Sequence, residues 1–240
     1  MRREIRSSER LIRKSSEMKT EKASRLVLYS YWRSSAAYRV RIALNLKGLP
    51  FKTIAVNLVG GGGEQRGDDY LAINPQGLVP ALLHEGNVLT QSMAICEYLD
   101  ECFEPCRLLP ADPTARARIR SLVLQIACDI HPLNNLRVQK KLQQECGDAL
   151  DTVAWMSHWM ATGFAAIEQQ LQPLTGESFV SSADRPGLFE CFLVPQVYNA
   201  ERYGMDISDF PAIYRIVSRC RELQAFREAA PENQPDAVHV

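Results

Sequence analysis

Two adjacent hydroxyls, Ser34 and Ser35, sit where the apolar run from Leu26 to Tyr31 gives way to a helical pattern. In that pattern Val40, Ala43, Leu44 and Lys47 recur at spacings of three and four. A strand that turns over hydroxyls into a helix leaves unpaired backbone N–H groups and the positive end of the helix dipole beside them. Such a turn can hold an anion, a thiolate included. Other chemistry-bearing residues point less far. The seven cysteines are odd in number and form no Cys-x-x-Cys; Cys102 and Cys106 flank Pro105 with no histidine nearby. They read as reduced, incidental thiols, with no metal site expected. The run Gly60-Gly61-Gly62-Gly63 lacks the Gly-Lys-Ser/Thr ending of a phosphate loop and reads as a mobile surface loop reaching to about Asn74.

The elements that must position the serines follow in order. Leu26 to Tyr31 reads as a strand and Ser35 to Lys47 as a helix closed by Gly48. Phe51 to Leu58 reads as a second strand with Ile54, Val56 and Leu58 in alternation, completing a right-handed βαβ unit with a parallel pair. Val79–Leu83 and Val88–Thr90 form an antiparallel hairpin over Glu85-Gly86-Asn87, and a helix through Ile95, Tyr98 and Leu99 follows Gln91 and Ser92. This order predicts a small α/β layer domain over residues 25–107. A link at 108–112 then delivers Asp112 and Pro113, a cap and a first helical residue. Everything from 113 to 240 reads helical: Ala115–Ile130 broken at Pro132, Leu150–Leu171, Pro186–Tyr203, Pro211–Cys220 and Leu223–Ala229, then a loose tail.

With 240 residues, 46% hydrophobic and 23% charged, the chain is of ordinary globular composition and long enough for two small cores. Lysine plus arginine and aspartate plus glutamate each total 28, so no global field points to nucleic acid or a membrane. Residues 1–24 carry eight basic and four acidic side chains and read as a disordered basic arm, within which Met18 could serve as an alternative start. No stretch approaches the roughly 20 apolar residues of a membrane span, and no signal-peptide core is visible, so a cytoplasmic location is expected.

Five segments, in this order, together resemble the zeta class of glutathione transferases, the family that includes maleylacetoacetate isomerases. They are Arg33-Ser34-Ser35-Ala36-Ala37-Tyr38-Arg39-Val40-Arg41, Asn74-Pro75-Gln76-Gly77-Leu78-Val79-Pro80-Ala81-Leu82, Leu89-Thr90-Gln91-Ser92-Met93-Ala94-Ile95, Pro132-Leu133-Asn134-Asn135-Leu136 and Leu193-Val194-Pro195-Gln196-Val197-Tyr198-Asn199-Ala200-Glu201-Arg202. The resemblance covers residues 25–240. It implies a thioredoxin-like α/β domain followed by an all-α bundle, glutathione as coenzyme, a small dicarboxylate as substrate and a homodimer. The implied reaction, in aromatic amino-acid catabolism, is isomerisation of maleylacetoacetate to fumarylacetoacetate by thiolate addition, bond rotation and elimination. Maleylpyruvate isomerisation, conjugation of α-halo acids and a non-catalytic binding module with the same fold are the alternatives.

By resemblance, Ser34 donates to the glutathione sulfur, while Ser35 caps the helix and adds a supporting contact. Arg202 takes a substrate carboxylate, to which a bidentate guanidinium is suited. Glutathione contacts fall to Ser34, Ser35, Ala36, Arg39, Gln65, Val79, Gln91, Ser92, His131, Asn135 and Arg137. Val79 would offer its backbone beside a cis Val79–Pro80 bond, and Gln91 with Ser92 would hold the γ-glutamyl carboxylate at a helix start. Arg33 is a further candidate near the thiol, and Arg41 is expected in ion pairs. The chain departs from the pattern twice. Ala36 stands where relatives often have cysteine, and Gly187-Leu188-Phe189-Glu190 replaces a Ser/Thr-x-x-Asp helix cap, with Glu190 still able to reach back.

Overall fold

The computed structural model describes residues 26–104, 106–172, 179–182 and 184–238. The basic arm expected over residues 1–24 lies outside them. Four strands, β1 (Val27–Ser30), β2 (Lys52–Ala55), β3 (Ala81–His84) and β4 (Asn87–Thr90), form one sheet in the order β2-β1-β3-β4. β1 pairs parallel to β2, as a βαβ crossover requires, and antiparallel to β3, which pairs antiparallel to β4. The crossover is α1 (Ser35–Leu46), which Lys47 and Gly48, at φ 61°, bring to a close. β2 stops at Ala55, shorter than the alternation to Leu58 suggests. The β3–β4 turn holds only Glu85 and Gly86, both at positive φ, so Asn87 belongs to the strand.

Two expectations for this region need correcting. The glycine run does not open a structureless loop: 3₁₀ turns at Gly60–Gly62 and Glu64–Arg66 lead into the short α2 (Asp68–Leu71). β3 begins at Ala81 rather than Val79, because the Val79–Pro80 bond is cis and Pro80 has no N–H for a ladder.

α3 (Ser92–Cys102) closes the first unit. The link to the helices is pinned from both sides. Asp100 accepts from Leu108 N–H at 2.5 Å and faces Lys47 Nζ at 3.5 Å, while Lys47 donates to Cys106 C=O at 2.6 Å. The Leu108 carbonyl in turn accepts from Leu188 N–H at 2.9 Å.

Asp112 caps α4 (Pro113–Leu124) as expected, its carboxylate accepting from Ala115 N–H at 2.7 Å. Before Pro132 the helix does not simply break: it widens into a π-helical stretch, Gln125–Ile130, and ends in a 3₁₀ turn, His131–Asn134. α5 (Leu136–Cys146), capped by Asn135, lies outside the helices expected from the sequence; its apolar positions Val138, Leu142 and Cys146 are spaced by four, but they are few among polar neighbours and none is fully buried. α6 (Thr152–Leu171), α7 (Leu188–Arg202), α8 (Pro211–Glu222) and α9 (Gln224–Ala229) complete the bundle. α7 is buried along almost its whole length and packs against α1, so a single hydrophobic core runs from Leu26 to Ala229.

The residues after α9 are not a loose tail. They make a 3₁₀ turn at Pro231–Asn233, Gln234 Nε2 donates back to Glu228 and Ala230 carbonyls at 2.9 Å, and Asp236 accepts from Trp32 N–H at 2.9 Å.

Candidate active site

Ser34 is the N-cap of α1. Its backbone is extended (φ −73°, ψ 115°) and its Oγ accepts from Ala37 N–H at 3.2 Å. Capping uses a lone pair and leaves the hydroxyl proton for an acceptor elsewhere, so the cap and a thiolate contact are compatible on one side chain. Ser35 is not the cap; it is buried as the first residue of the helix. The first N–H groups of α1 lack intrahelical partners, which gives the turn a second set of donors.

Ser34 opens onto a cleft formed by two adjoining cavities of about 360 and 220 Å³, which share the walls Ala36, Gln76, Leu78, Val79, His131, Asn135 and Arg137. Ser34, Ser35, Gln65 and Arg202 line the first; Arg39, Gln91 and Ser92 line the second. Every residue singled out from the sequence for the site therefore borders one cleft, although the residues come from the α1 turn, the glycine loop, the β3 approach, α3, the π-to-3₁₀ segment and α7.

Local chemistry fixes each wall. Tyr70 Oη and Asn74 Nδ2 each donate to Leu78 C=O at 2.7 Å, holding the approach to Val79. Among the described residues nothing hydrogen-bonds the Val79 backbone, which leaves its N–H and C=O for an extended ligand. Gln65 is buried with its Oε1 unpaired, and its amide reaches only the Leu58 carbonyl, at 3.4 Å. A Cβ on residue 63 would stand 2.6 Å from Gln65 Oε1 and one on residue 77 would stand 3.0 Å from its carbonyl, so both glycines make room for Gln65. Gln91 occupies the cap position of α3 at φ 69°, a strained conformation for a side-chain-bearing residue, and its Nε2 donates to Gln76 at 2.7 Å.

Ser92, the first helical residue of α3, accepts from Arg39 Nη1 at 3.1 Å. Arg39 is 2% exposed, lies over the Phe192 ring at 4.5 Å, and keeps Nε and Nη2 unpaired. Burial pushes its guanidinium down to about 10, and among the described residues no carboxylate pairs with it. A buried cation of this kind is stabilised by an incoming anion. His131 is similar in kind. Its Nδ1 is unpaired, and burial, with Arg39 and Arg137 adding, lowers it to about 3, so the ring is neutral at physiological pH. Asn135 caps α5, its Oδ1 accepting from Arg137 N–H at 3.1 Å, and the residue lines the cleft. Arg202 lies over Tyr203 at 4.6 Å and donates to its hydroxyl at 2.6 Å, and that hydroxyl also meets Gln139.

Arg41 corrects the expectation of ion pairs. Its guanidinium is fully buried and donates to neutral acceptors: Ala229 C=O, Ser30 Oγ, Tyr31 C=O and Trp32 C=O.

Sequence reasoning missed Arg66, Gln76, Gln139, Lys140, Asn199 and Tyr203, all of which line the larger cavity. Asn199 was readable, three residues before Arg202 on one helix. Gln139 and Lys140 ride on α5, which was itself missed. The result is a set of six cations, Arg33, Arg39, Arg66, Arg137, Lys140 and Arg202, with no carboxylate among the described residues that line either cavity.

Comparison with known proteins follows the same direction. Residues 33–102 match the family model of the glutathione S-transferase N-terminal domain. The chain is 47% identical over 213 residues to a probable maleylacetoacetate isomerase of Vibrio cholerae, covering 88% of this chain and 98% of that one. It is 48% identical over 210 residues to the maleylacetoacetate isomerase of Pseudomonas aeruginosa, covering 87% and 97%. Among solved structures, a holo maleylpyruvate isomerase, a bacterial glutathione S-transferase of the zeta class, superposes with TM-score 0.83 at 44% identity over 88% of this chain and all of that one. A maleylacetoacetate isomerase from Methylobacterium extorquens AM1 with bound malonate and glutathione gives TM-score 0.82 at 37% identity, covering 89% and 100%.

Proposed function

The chain belongs to the zeta-class glutathione S-transferase family, and from that premise we propose that it is a glutathione-dependent cis–trans isomerase of maleylacetoacetate. The observation that carries the reading is the cleft's six cations, with no carboxylate among its described lining residues, five of them in the cavity that Ser34 lines. It suits a doubly anionic substrate beside an anionic sulfur.

The residues present fit glutathione. Buried polar atoms without partners among the described residues (Gln65 Oε1, Arg39 Nε and Nη2, His131 Nδ1) belong to residues that border the cleft, and each is open to a hydrogen bond with a ligand atom. Glutathione, when bound, supplies a thiolate that adds to the conjugated cis double bond and later leaves, so that the bond can rotate. Ser34 and the free N–H groups of α1 hold negative charge at the sulfur position and keep it ionised. Val79 aligns an extended peptide by its backbone. Gln91, the N–H groups at the start of α3, and Ser92 backed by Arg39 take the α-carboxylate end. Arg202, steadied by Tyr203, and Arg33 hold the substrate carboxylates and stabilise charge that develops on the substrate oxygen. In this reading residues 25–107 form the glutathione-binding domain, 113–240 the helical domain, and the protein is a cytoplasmic homodimer.

The similarity to a maleylpyruvate isomerase keeps one close second reading. Both reactions use the same wall, and one experiment separates them: turnover of maleylacetoacetate, maleylpyruvate and an α-halo acid by the purified chain with glutathione. Fastest kcat/KM on maleylacetoacetate is expected; absence of fumarylacetoacetate would sink the primary reading. Failure to bind glutathione in calorimetry would point instead to a non-catalytic module.

A further inference from the structure

The Tyr31–Ser34 turn carries the two side chains nearest the chemistry, Arg33 and Ser34, yet its own hydrogen bonds come largely from far along the chain. Within the turn, Ser34 N–H donates to Tyr31 C=O at 2.9 Å. From beneath, Arg41 donates to Trp32 C=O at 2.9 Å and to Tyr31 C=O at 3.4 Å, while its Nε holds Ala229 C=O, the end of α9, at 2.9 Å. From outside, the half-buried Asp236 accepts Trp32 N–H at 2.9 Å across 204 residues of sequence. The C-terminal segment that delivers Asp236 is itself tied down: Glu232 accepts from Tyr198 Oη on α7, and Gln234 is anchored on α9. Arg33 lies over the Trp32 ring at 5.2 Å, so fixing Trp32 also fixes Arg33.

We propose that the C-terminal segment is a strap and that Asp236 is a positioning residue for catalysis, holding the Trp32 amide so that Ser34 and Arg33 keep their aim into the cleft. The geometry gives Asp236 no contact with the cleft itself, so its effect passes through the turn. Without it Trp32 N–H, partly buried, loses its partner, and the turn is left to its own Ser34–Tyr31 hydrogen bond and to Arg41 from beneath. Burial pushes the Arg41 guanidinium down to about 10 even though Tyr38 and the carboxylates of Asp236 and Glu232 favour its charge. The strap thus couples both halves of the clamp. Binding of glutathione rests mainly on walls the strap does not touch (Val79, Gln65, Ser92), so its loss should reach turnover before affinity.

This inference rests on the isomerase reading for its kinetic arm and is independent of it in the other two. The experiment compares wild type with D236A and D236N, the latter keeping a carbonyl acceptor for the Trp32 amide. D236A should lower kcat about tenfold, the size of one hydrogen bond to a charged group, with KM for glutathione within about twofold of wild type. Its Trp32 amide should exchange with solvent at least about tenfold faster, and the ultraviolet absorbance of bound glutathione thiolate at neutral pH should fall relative to D236N. D236N should recover most of kcat. The proposal is overturned if D236A keeps kcat within about twofold of wild type, if the Trp32 amide is not accelerated, or if D236N is as impaired as D236A. Should wild type isomerise neither maleyl substrate, the functional reading fails, and amide exchange with thiolate absorbance still decides the strap.

Discussion

Ser34 shows how one hydroxyl serves structure and chemistry together, because capping takes an oxygen lone pair and thiolate stabilisation takes the proton. S34A should therefore cost more than a cap. Loss of a hydrogen bond to an ionised sulfur predicts a drop in kcat/KM of about 10- to 100-fold, read in glutathione-dependent isomerisation, with an increase in the bound thiol's titration midpoint. His131 supports a prediction about pH. Its folded value of about 3 lies below the ordinary 6.5, so in that window the unfolded chain is protonated at a site where the native chain is not. Unfolding then takes up a proton, and stability falls as pH falls through the window, with no such cost above it. Between about pH 7 and pH 5 wild type should lose about 1–2 kcal/mol more than H131Q in urea titrations. An equal loss in both would place His131 in a solvated environment.

At the scale of elements, α7 shows a cap assembled from separate pieces. Gly187 has no side chain to cap with; Glu190 accepts its N–H at 2.8 Å, and Ser181 Oγ, from the preceding loop, accepts Phe189 N–H at 3.1 Å while donating to Glu190 at 2.6 Å. Glycine is required because a Cβ there would stand 2.4 Å from Leu108 C=O and 2.6 Å from Ser181 Cβ. G187A should destabilise the chain by about 2 kcal/mol or more, through overpacking and loss of the Leu108–Leu188 contact, and S181A by about 1 kcal/mol, both measured by denaturant unfolding. The glycine loop has a similar logic directed at function. G63A forces an L side chain to φ 98° against Gln65, so glutathione affinity should fall roughly five- to tenfold while the melting temperature hardly moves, the loop lying away from the main core. Unchanged affinity would remove Gln65 from the glutathione contacts.

For the whole molecule, the formal charge is zero, while the charged side chains among the described residues lining the cleft are all cations. A concentrated positive cleft on a neutral protein draws anionic substrates by a local field, which salt screens. kcat/KM should fall roughly three- to tenfold between about 0.01 and 0.3 M ionic strength, mostly through KM. The shared core makes the two units one folding body, and the Lys47–Asp100 pair ties the link between them. Both features favour a single unfolding transition.

The sequence by itself determined the order of the strands and of most helices, the Ser34 turn and the Asp112 start of the helical region, and through the family resemblance the cis Val79–Pro80 approach and the identity of most of the cleft's polar residues. These are legible because caps, turns and apolar periods act over a few residues, and because five motifs occur in a fixed order. Only the tertiary structure decided which serine caps, what Arg41 holds, that the last residues return to Trp32, and that α5 exists and brings Lys140 to the cleft. Ser34 and Ser35 are both good caps, and backbone geometry alone chooses between them. Arg41 and Asp236 act on partners up to 204 positions away, and α5, with no fully buried residue, has only a thin apolar period among polar residues to mark it. Local rules write the elements, whereas long-range contacts aim them.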